Sequence, residues 1–345
     1  MRSNMKLRVF CTLLLLLPTV AYSATGAFDI ERWNNMLSDI RTRATERKIS
    51  DATIDATLKN PLFIPSIIKS DRNQSEFKLT LSQYLNRTVN ENRVANGRYM
   101  NTHYPTLLGR VESTYGIPKH VVLAFWGMET NYGKTHGSYK LKNAFFTLMY
   151  DGRREKFFTD QLLALMKIAD DNRLDINETH GSWAGAMGHF QFIPTTLAQY
   201  GTDGNGDGKV DIINNISDAM FSAGNYLNKL GWNKNERIAR RVILPADFDR
   251  SMLDGKTRKS VSDWSRMGVL NADGAKLPES DISAGLVADV ASLEEVTVDY
   301  NPDTDVQPTK TVIAYLTYPN FYRIKKWNNS NWYAIAIAEL SDKLK

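Results

Sequence analysis

The chain has 345 residues, of which 42% are hydrophobic and 23% charged, and its formal net charge is +5. A chain of this length can bury a sizeable core without the help of disulfides. Its charges are too evenly balanced for a nucleic-acid-binding protein, and its five scattered histidines lack the spacing of a zinc site.

Residues 1–23 are predicted to form a cleavable signal peptide. Arg2, Lys6 and Arg8 precede the apolar run 9–17, and small residues follow before residue 24. The only cysteine, Cys11, lies inside this segment without the small residues that precede a lipoprotein processing site. No later segment approaches the roughly 20 apolar residues of a transmembrane helix. The sequence therefore predicts a soluble periplasmic protein with neither a disulfide nor a lipid anchor.

The pattern of residues 24–115 predicts a subdomain of packed helices. Apolar residues recur there at helical spacing, and polar breaks such as Asn60-Pro61 separate one helix from the next. Nothing in this region indicates chemistry, so we predict a structural role for it.

The next helix, predicted to begin near Pro118, carries a carboxylate on its apolar face. The face consists of Val122, Phe125, Trp126 and Glu129 at positions i, i+3, i+4 and i+7. A buried carboxylate is costly unless it has a use. Desolvation and a place in the last helical turn both predict a raised pKa for Glu129, which suits a general acid. An ordinary ion pair with Arg or Lys is the alternative.

Two further stretches contain candidate ligand-binding residues. Arg153 and Arg154 are predicted in the first turn of a helix, where cations oppose the dipole. They are candidates for binding an anionic substrate group, and solvated surface arginines are the alternative. Ser182 and Gln191 interrupt the Gly- and Ala-rich segment 181–194 and can hydrogen-bond a neutral ligand such as a sugar. A buried turn of small residues is the alternative there.

Residues 203–214 have the spacing of a calcium loop. The predicted ligands are Asp203, Asn205, Asp207, the carbonyl of Lys209, and Asp211. The last position holds Asn214 instead of the usual bidentate Glu, and Asp218 is the candidate that completes the site. We predict a structural calcium ion that stabilises this loop; an acidic solvated turn is the alternative.

The remaining elements complete a mainly helical chain. Residues 240–244 and 311–317 are predicted strands, separated by the polar stretch 253–308, and they indicate a small antiparallel β subdomain at 236–318. The catalytic core is placed at 116–235. The segment 319–345 completes that core with a last helix that begins at Asn331 and is capped by Ser330.

Six ordered blocks resemble the B family of lytic murein transglycosylases, which cut bacterial peptidoglycan. The blocks are Gly-Met-Glu-Thr-Asn-Tyr-Gly at 127–133, the Arg153-Arg154 pair, 181–194, the calcium loop, 223–232 and 318–330. The match is continuous over residues 115–232 and returns near the C-terminus. The resemblance implies a mainly α (α+β) fold with a lysozyme-like helical core, an N-terminal helical subdomain, an EF-hand-like calcium loop and a small inserted antiparallel β subdomain.

The resemblance also implies which side chains meet the substrate. Glu129 corresponds to the sole catalytic carboxylate. Ser182, Gln191, Tyr226, Asn328 and Tyr333 correspond to positions that line the family's glycan groove, and Arg153 and Arg154 correspond to its active-site arginines. Trp327 is a further candidate substrate-binding residue of the last block. Trp327 stands where the family commonly has Tyr, a change that would keep stacking on a sugar but lose a hydroxyl hydrogen bond. No organic cofactor is expected.

The expected reaction is cleavage of the MurNAc-β-1,4-GlcNAc bond without water, which leaves a 1,6-anhydro end. Peptidoglycan strands are the expected partner, and cell-wall synthases or amidases are candidate protein partners. The sequence leaves two alternatives open. A hydrolytic muramidase would need a second carboxylate, for which Asp151 and Asp175 are nearest in sequence. A non-catalytic peptidoglycan-binding or scaffolding protein would keep the groove without turnover.

Overall fold

A computed structural model describes residues 28–73, 79–172, 174–290, 295–298 and 309–345. The predicted signal segment 1–23 lies outside the described residues. Helices dominate the chain as far as residue 230, and most of the strands follow in residues 239–317. Within the described part, no helix combines the length and the apolar character needed to cross a membrane.

The first part of the chain consists mainly of helices, and the seventh of them carries Glu129. They are α1 (Ile30–Glu46), α2 (Asp51–Leu58), α3 (Pro65–Arg72), α4 (Leu81–Thr88), α5 (Glu91–His103), α6 (Pro105–Tyr115), α7 (Lys119–Thr130), α8 (Leu141–Asp151), α9 (Glu155–Asn172), α10 (Pro194–Tyr200) and α11 (Ile216–Lys229). A two-stranded antiparallel ribbon joins β1 (Tyr139–Lys140) to β2 (His180–Gly181). Helix α7 packs against α5, α6 and α11, as its almost wholly apolar sequence requires.

Side-chain caps set many of the helix boundaries. Asp29, Ser50, Asn90 and Asn215 each accept hydrogen bonds from the first-turn N–H groups of the helix that follows. Thr80 forms a capping box with Gln83 at the start of α4. Such caps satisfy backbone donors that have no partner within the helix.

The second half contains the larger sheet. Its elements are β3 (Ala239–Leu244), β4 (Asp254–Ser260), α12 (Val261–Arg266), β5 (Leu270–Asn271), β6 (Ser283–Val287), β7 (Glu295–Val298) and β8 (Thr309–Thr317). The strand order is β4-β6-β8-β3-β5, with β7 also paired to β8, and every pairing is antiparallel. The predicted strands are confirmed as β3 and β8. The stretch between them, predicted only as polar, contributes four more strands and a helix.

The buried hydrophobic residues that the structure describes form two clusters. The larger extends through the helices and includes the buried face of α7. The smaller lies between residues 242 and 318, where Trp264 of α12 packs against the sheet. The chain then returns to the helical part through α13 (Pro319–Trp327) and α14 (Asn331–Lys343), and α14 packs directly on α7. This return brings the last residues of the chain to the carboxylate on α7.

Candidate active site

Glu129 lies half-buried in the last turn of α7, and the backbone beyond it is tightly constrained. Asn131 ends the helix with a left-handed φ of 50°, and Tyr132 follows at 60°. The Tyr132 hydroxyl donates to the carbonyl oxygen of Arg93 at 2.9 Å. A Cβ atom at Gly127 would lie 2.7 Å from the Tyr132 ring, so this packing requires glycine there. The end of α7, and with it the direction of Glu129, is therefore fixed.

Two side chains from the C-terminal segment donate to one oxygen of Glu129. Trp327 Nε1 lies 3.0 Å from Glu129 Oε1, and the Tyr333 hydroxyl lies 2.6 Å from the same atom. Ser330 caps α14, as predicted, and so places Tyr333 in its first turn. Burial raises the pKa of Tyr333, and the neighbouring Glu129 carboxylate raises it further. Tyr333 therefore remains protonated and acts as a donor.

Trp327 is the centre of an aromatic wall beside Glu129. The rings whose centroids lie within 5.3 Å of it are Phe125 at 4.8 Å, Phe192 at 5.3 Å and Tyr226 at 4.9 Å. Tyr226 in turn stacks on Tyr200 at 4.5 Å with an interplanar angle of 25°. Trp327 and Tyr226 are both partly exposed, so the wall offers apolar ring faces with polar edges.

Ser182 and Gln191 direct their polar groups to the backbone of their own loop. Ser182 Oγ accepts from the Ala186 N–H at 3.0 Å, and Gln191 Nε2 donates to the Gly188 carbonyl at 3.0 Å. Both residues are half-buried. The residue after Gln191 is Phe192, whose ring packs on Trp327, so this loop borders the aromatic wall.

Arg153 and Arg154 lie just before α9, not within its first turn as predicted, and both bind Asp71 of α3. Arg154 donates to Asp71 Oδ1 at 2.5 Å, and Arg153 donates to Oδ2. The Asp71 side chain is 2% exposed, whereas Arg153 and Arg154 are 51% and 40% exposed. The sequence indicated an anionic substrate group, or solvent, as the partner of these arginines and did not identify Asp71, because a partner 82 residues upstream leaves no local signal.

Asn328 and the two carboxylates considered for hydrolysis lie in other surroundings. Asn328 is exposed, directly follows α13 and lines a cavity of about 410 Å³. Asp151 pairs with Arg72 at 2.6 Å. Asp175 Oδ1 accepts from the backbone N–H of Asn177 at 2.8 Å.

The predicted calcium loop is folded around backbone hydrogen bonds. Asp203 accepts from the N–H groups of Gly206 at 2.6 Å and Gly208 at 2.7 Å, and these bonds lower its pKa. Asp218 is fully buried and accepts from Gly204 at 2.9 Å and Asp211 at 2.8 Å. Burial raises the pKa of Asp218, and these hydrogen bonds oppose that rise.

The candidate calcium ligands of this loop accept hydrogen bonds from its own backbone. Asn205, Asp207 and Asp211 each accept from a backbone N–H two residues further along, and Lys209 is exposed. The candidate ligand atoms are all oxygen atoms, as Ca²⁺ prefers. In the part of the chain that the structure describes, no three acidic, histidine or cysteine side chains are grouped closely enough to hold a metal ion.

His189 is a neighbour of the site that the sequence did not reveal. Trp126 Nε1 donates to His189 Nδ1 at 3.1 Å, and Thr130 Oγ1 donates to the His189 carbonyl at 2.8 Å. Burial, and then the nearby His136, lower the pKa of His189 to about 4, although Asp211 opposes them. His189 therefore joins loop 181–194 to the end of α7 as a neutral ring. The only indication of His189 in the sequence was its position in segment 181–194, two residues before Gln191.

Comparison with known proteins gives concordant results. The profile of the transglycosylase SLT domain matches residues 32–342. Membrane-bound lytic murein transglycosylase B of Escherichia coli K12 is 28% identical over 264 residues, which are 75% of this chain and 65% of that protein, so the chain spans just under two thirds of that relative.

Solved structures of similar fold cover most of the chain. SltB3 of Pseudomonas aeruginosa, solved in complex with NAG-anhNAM-pentapeptide, has a TM-score of 0.81 at 34% identity, over 90% of this chain and 79% of that one. E. coli Slt35, solved in complex with calcium, has a TM-score of 0.72 at 24% identity, over 91% and 92%. Because the family profile matches residues 32–342, nearly the whole length of this chain, the chain belongs to the transglycosylase SLT domain family.

Proposed function

We propose that this protein is a lytic transglycosylase that cleaves the MurNAc-β-1,4-GlcNAc bond of peptidoglycan without water. The observation that carries the proposal is the carboxyl group of Glu129, held by Trp327 and Tyr333 beside an aromatic wall. Membership of the family supports it. The complexes of P. aeruginosa SltB3 with NAG-anhNAM-pentapeptide and NAG-NAM-pentapeptide support the same class of substrate.

The proposed reaction uses Glu129 twice. In the first step its carboxyl group protonates the glycosidic oxygen, the bond from that oxygen to C1 of MurNAc breaks, and the GlcNAc side leaves as an alcohol. The acetamido oxygen of MurNAc bonds to C1 and stabilises the positive charge. In the second step the Glu129 carboxylate removes the proton of the C6 hydroxyl, whose oxygen displaces the acetamido oxygen at C1. A 1,6-anhydro ring forms, Glu129 regains its proton and no water is consumed.

A single carboxylate is sufficient for this route because the substrate supplies both nucleophiles. Ordinary glycosidases place two carboxylates on either side of the bond. The two alternatives in this chain have other partners, since Asp151 pairs with Arg72 and Asp175 accepts from Asn177. The proposed route therefore needs no carboxylate besides Glu129.

The other predicted residues take supporting roles in the proposal. The half-exposed faces of Trp327 and Tyr226 stack on sugar rings, while Ser182 and Gln191 orient the acetamido group. The exposed halves of Arg153 and Arg154 bind a carboxylate of the substrate while Asp71 holds their other side. Guanidinium groups have several donors, so one group can bind two partners.

The test is digestion of purified murein sacculi by the native protein and by Glu129→Gln, with mass spectrometry of the released muropeptides. Products one water lighter than reducing-end muropeptides, released only by the native protein, are expected. Reducing-end products would mean hydrolysis. Binding to sacculi with no release by the native protein would mean a non-catalytic peptidoglycan-binding protein.

We also propose that residues 203–218 bind a structural calcium ion. The oxygen-rich spacing supports this, and so does the positive φ of Gly206 and Gly208, which gives the loop its turns. Asp203, Asn205, Asp207, the carbonyl of Lys209, Asp211 and Asp218 are the ligands in this proposal. The ion would neutralise the acidic loop and fix its connection to α11, whose Tyr226 belongs to the aromatic wall.

Calcium binding is tested by thermal unfolding with and without a chelator. An ion at a hundred times its Kd stabilises the native state by about 2.7 kcal/mol, so chelation is expected to lower the Tm by several degrees. Asp203→Asn should unfold near the lower Tm in both conditions. An unchanged Tm of the native protein on chelation would show that no calcium ion is bound.

Peptidoglycan lies outside the cytoplasmic membrane, so the proposed substrate agrees with the predicted signal peptide and with a periplasmic location. Cell fractionation with detection of the protein in the periplasmic fraction tests this. Recovery only in the cytoplasm, at the uncleaved mass, would contradict it.

A further inference from the structure

A cavity of about 240 Å³ lies at the end of α7 opposite to Glu129. It is bounded by the start of α7, the end of α14 and the connection between α11 and β3. The cavity is smaller than the roughly 300–1,000 Å³ of sites for drug-sized ligands, so it suits a small molecule. None of the residues in the proposed reaction is among the described residues that line it. The proposed function therefore leaves this cavity without a role.

Two buried hydrogen-bond donors of the cavity lining have no partner among the described residues. The indole Nε1 of Trp232 is buried and unpartnered there. The Ser341 side chain is 2% exposed, and its hydroxyl makes no hydrogen bond within the described part of the chain. Buried polar groups are nearly always paired with protein, water or a ligand. Both donors therefore indicate an acceptor inside the cavity.

The first turn of α7 adds backbone donors to the same cavity. Pro118 stands at the N-cap and His120 in the first turn, and both line the cavity. Proline has no side-chain acceptor, and the helix has no side-chain cap. The first N–H groups of a helix lack intrahelical partners, and the positive end of the helix dipole favours an anion. An anion in the cavity would meet this need.

Lys234 and Arg237 add positive charge to the lining. Both are exposed, and neither forms an ion pair with a described residue. The acidic residue between them, Glu236, already pairs with Arg323 at 3.1 Å, and Arg323 does not line the cavity. The charge of these two cations is therefore available to a ligand.

The other charged pair of the lining is internally compensated. Asp342 and Lys345 at the end of the chain pair with each other at 2.5 Å. Burial lowers the pKa of His120, and the positive charge of Lys345 lowers it further, whereas Asp342 opposes them. His120 is therefore a neutral ring at pH 7, with one N–H group that can donate.

We propose that this cavity is a binding site for a small oxyanion, a phosphate or carboxylate group. Its oxygen atoms accept from Trp232 Nε1, from the Ser341 hydroxyl and from the first-turn N–H groups of α7, while Lys234 and Arg237 compensate its charge. The bound anion joins the start of the helix that carries Glu129 to α14 and to the connection that leads into β3. It thus stabilises the frame of the site without contact with the reacting atoms.

The test uses inorganic phosphate as the probe, with sodium chloride bringing every sample to the same ionic strength. Calorimetry gives the Kd, and the Nε1–H signal of Trp232 in the NMR spectrum reports occupancy of the cavity. We expect saturable binding and a downfield shift of that signal. Ser341→Ala and Trp232→Phe should each weaken binding roughly tenfold, as for loss of a hydrogen bond to a charged group. Because the Ser341 hydroxyl has no partner among the described residues, Ser341→Ala should leave the Tm without phosphate unchanged.

Two matched controls separate binding from stability. Ser222→Ala removes a buried hydroxyl that accepts from the Thr202 N–H at 2.9 Å, so it should lower the Tm and leave the Kd for phosphate unchanged. Arg237→Gln should weaken binding, whereas Lys229→Gln, at an exposed cation of α11 outside the cavity lining, should not.

Acetate at the same ionic strength distinguishes the two groups, because the anion that binds more tightly identifies the ligand as a phosphate or a carboxylate. No saturable binding of either anion would overturn the inference and leave the cavity to water. Equal Kd values for the native protein and Ser341→Ala would also overturn it. Since no murein is used, failure here is independent of the sacculus digestion.

Discussion

Asp71 and Glu129 are carboxylates of the helical part whose hydrogen-bonding partners differ in charge. Asp71 is held by the guanidinium groups of Arg153 and Arg154, whereas Oε1 of Glu129 accepts from the neutral indole of Trp327 and the neutral hydroxyl of Tyr333. Two cations compensate a fixed negative charge and suit a structural contact. Neutral donors fix an oxygen in space without supplying a full positive charge. An acid that must give up a proton and then take one back needs the second arrangement.

The difference can be tested by removing each charge while keeping its shape. Glu129→Gln retains an oxygen that can accept from both donors but has no proton to give. We expect the rate of muropeptide release to fall by about 10² to 10⁴, with the Tm changed by less than about 2 °C. Turnover assays and calorimetry on the same preparation measure both effects. Near-native turnover would remove Glu129 from the proposed reaction.

Asp71→Asn should produce the opposite pattern in stability. The neutral amide cannot compensate two guanidinium groups, so we expect the free energy of unfolding to fall by about 1–3 kcal/mol. The arginines are half-exposed and recover water, which keeps the cost below that of a fully buried pair.

The matched control for Asp71 is Asp55→Asn, which breaks an ion pair with Arg41 whose side chains are 50% and 66% exposed. Such exposed pairs contribute about 0–1 kcal/mol. Denaturant unfolding of both variants gives the comparison. Equal losses for Asp71→Asn and Asp55→Asn would show that the contact on Asp71 has no special structural weight.

Local patterns predicted the frame of the site well. The apolar spacing before Glu129 gave the helix now seen as α7, and the Ser330 cap gave the start of α14. The strands β3 and β8 were also predicted, because Val, Ile and Leu are concentrated in them. Strands β4 to β7 were missed because their residues are mostly polar or small, and their pairing with distant strands decides their structure.

The partners across the site could not be obtained from local pattern. Trp327 and Tyr333 lie 198 and 204 residues from Glu129, and only the family resemblance pointed to them. That resemblance marked Trp327 as a departure that loses a hydroxyl. The structure shows that its indole N–H serves as a donor to the acid itself. Which atom a side chain binds depends on the packing of α13 and α14, and that packing is tertiary.

Trp327→Phe sharpens the contrast at Glu129 by removing one neutral donor and keeping a ring on the wall. Loss of a donor to the carboxylate disfavours its ionised form. We expect kcat to fall roughly fivefold to tenfold and the basic limb of the pH–rate profile to move to higher pH. A raised KM with an unchanged profile would show that Trp327 acts on the sugar alone.

The control for this variant is Trp327→Tyr, which restores the family's usual residue. If its hydroxyl reaches Glu129, the profile should move back toward that of the native protein. A profile that follows Trp327→Phe would show that only the indole, with its greater reach, can make this contact.

The smallest expected effect is the change in stability with pH that comes from His189. Here the group held by a neutral donor is an imidazole ring and not a carboxylate. The pKa of His189 is about 4 in the folded protein against 6.5 in the unfolded chain, so between these values the unfolded state binds the proton first. Stability associated with His189 is therefore full above pH 6.5 and is lost as the pH falls toward 4. Because the ring is partly exposed, screening reduces the loss to roughly 1 kcal/mol.

The test compares two variants with the native protein. His189→Asn keeps an acceptor for Trp126 and does not titrate, so its stability should fall less over this window. His103→Asn, at an exposed histidine, should follow the native protein, and parallel curves for all three proteins in denaturant titrations from pH 7 to 4 would contradict the neutral state of His189.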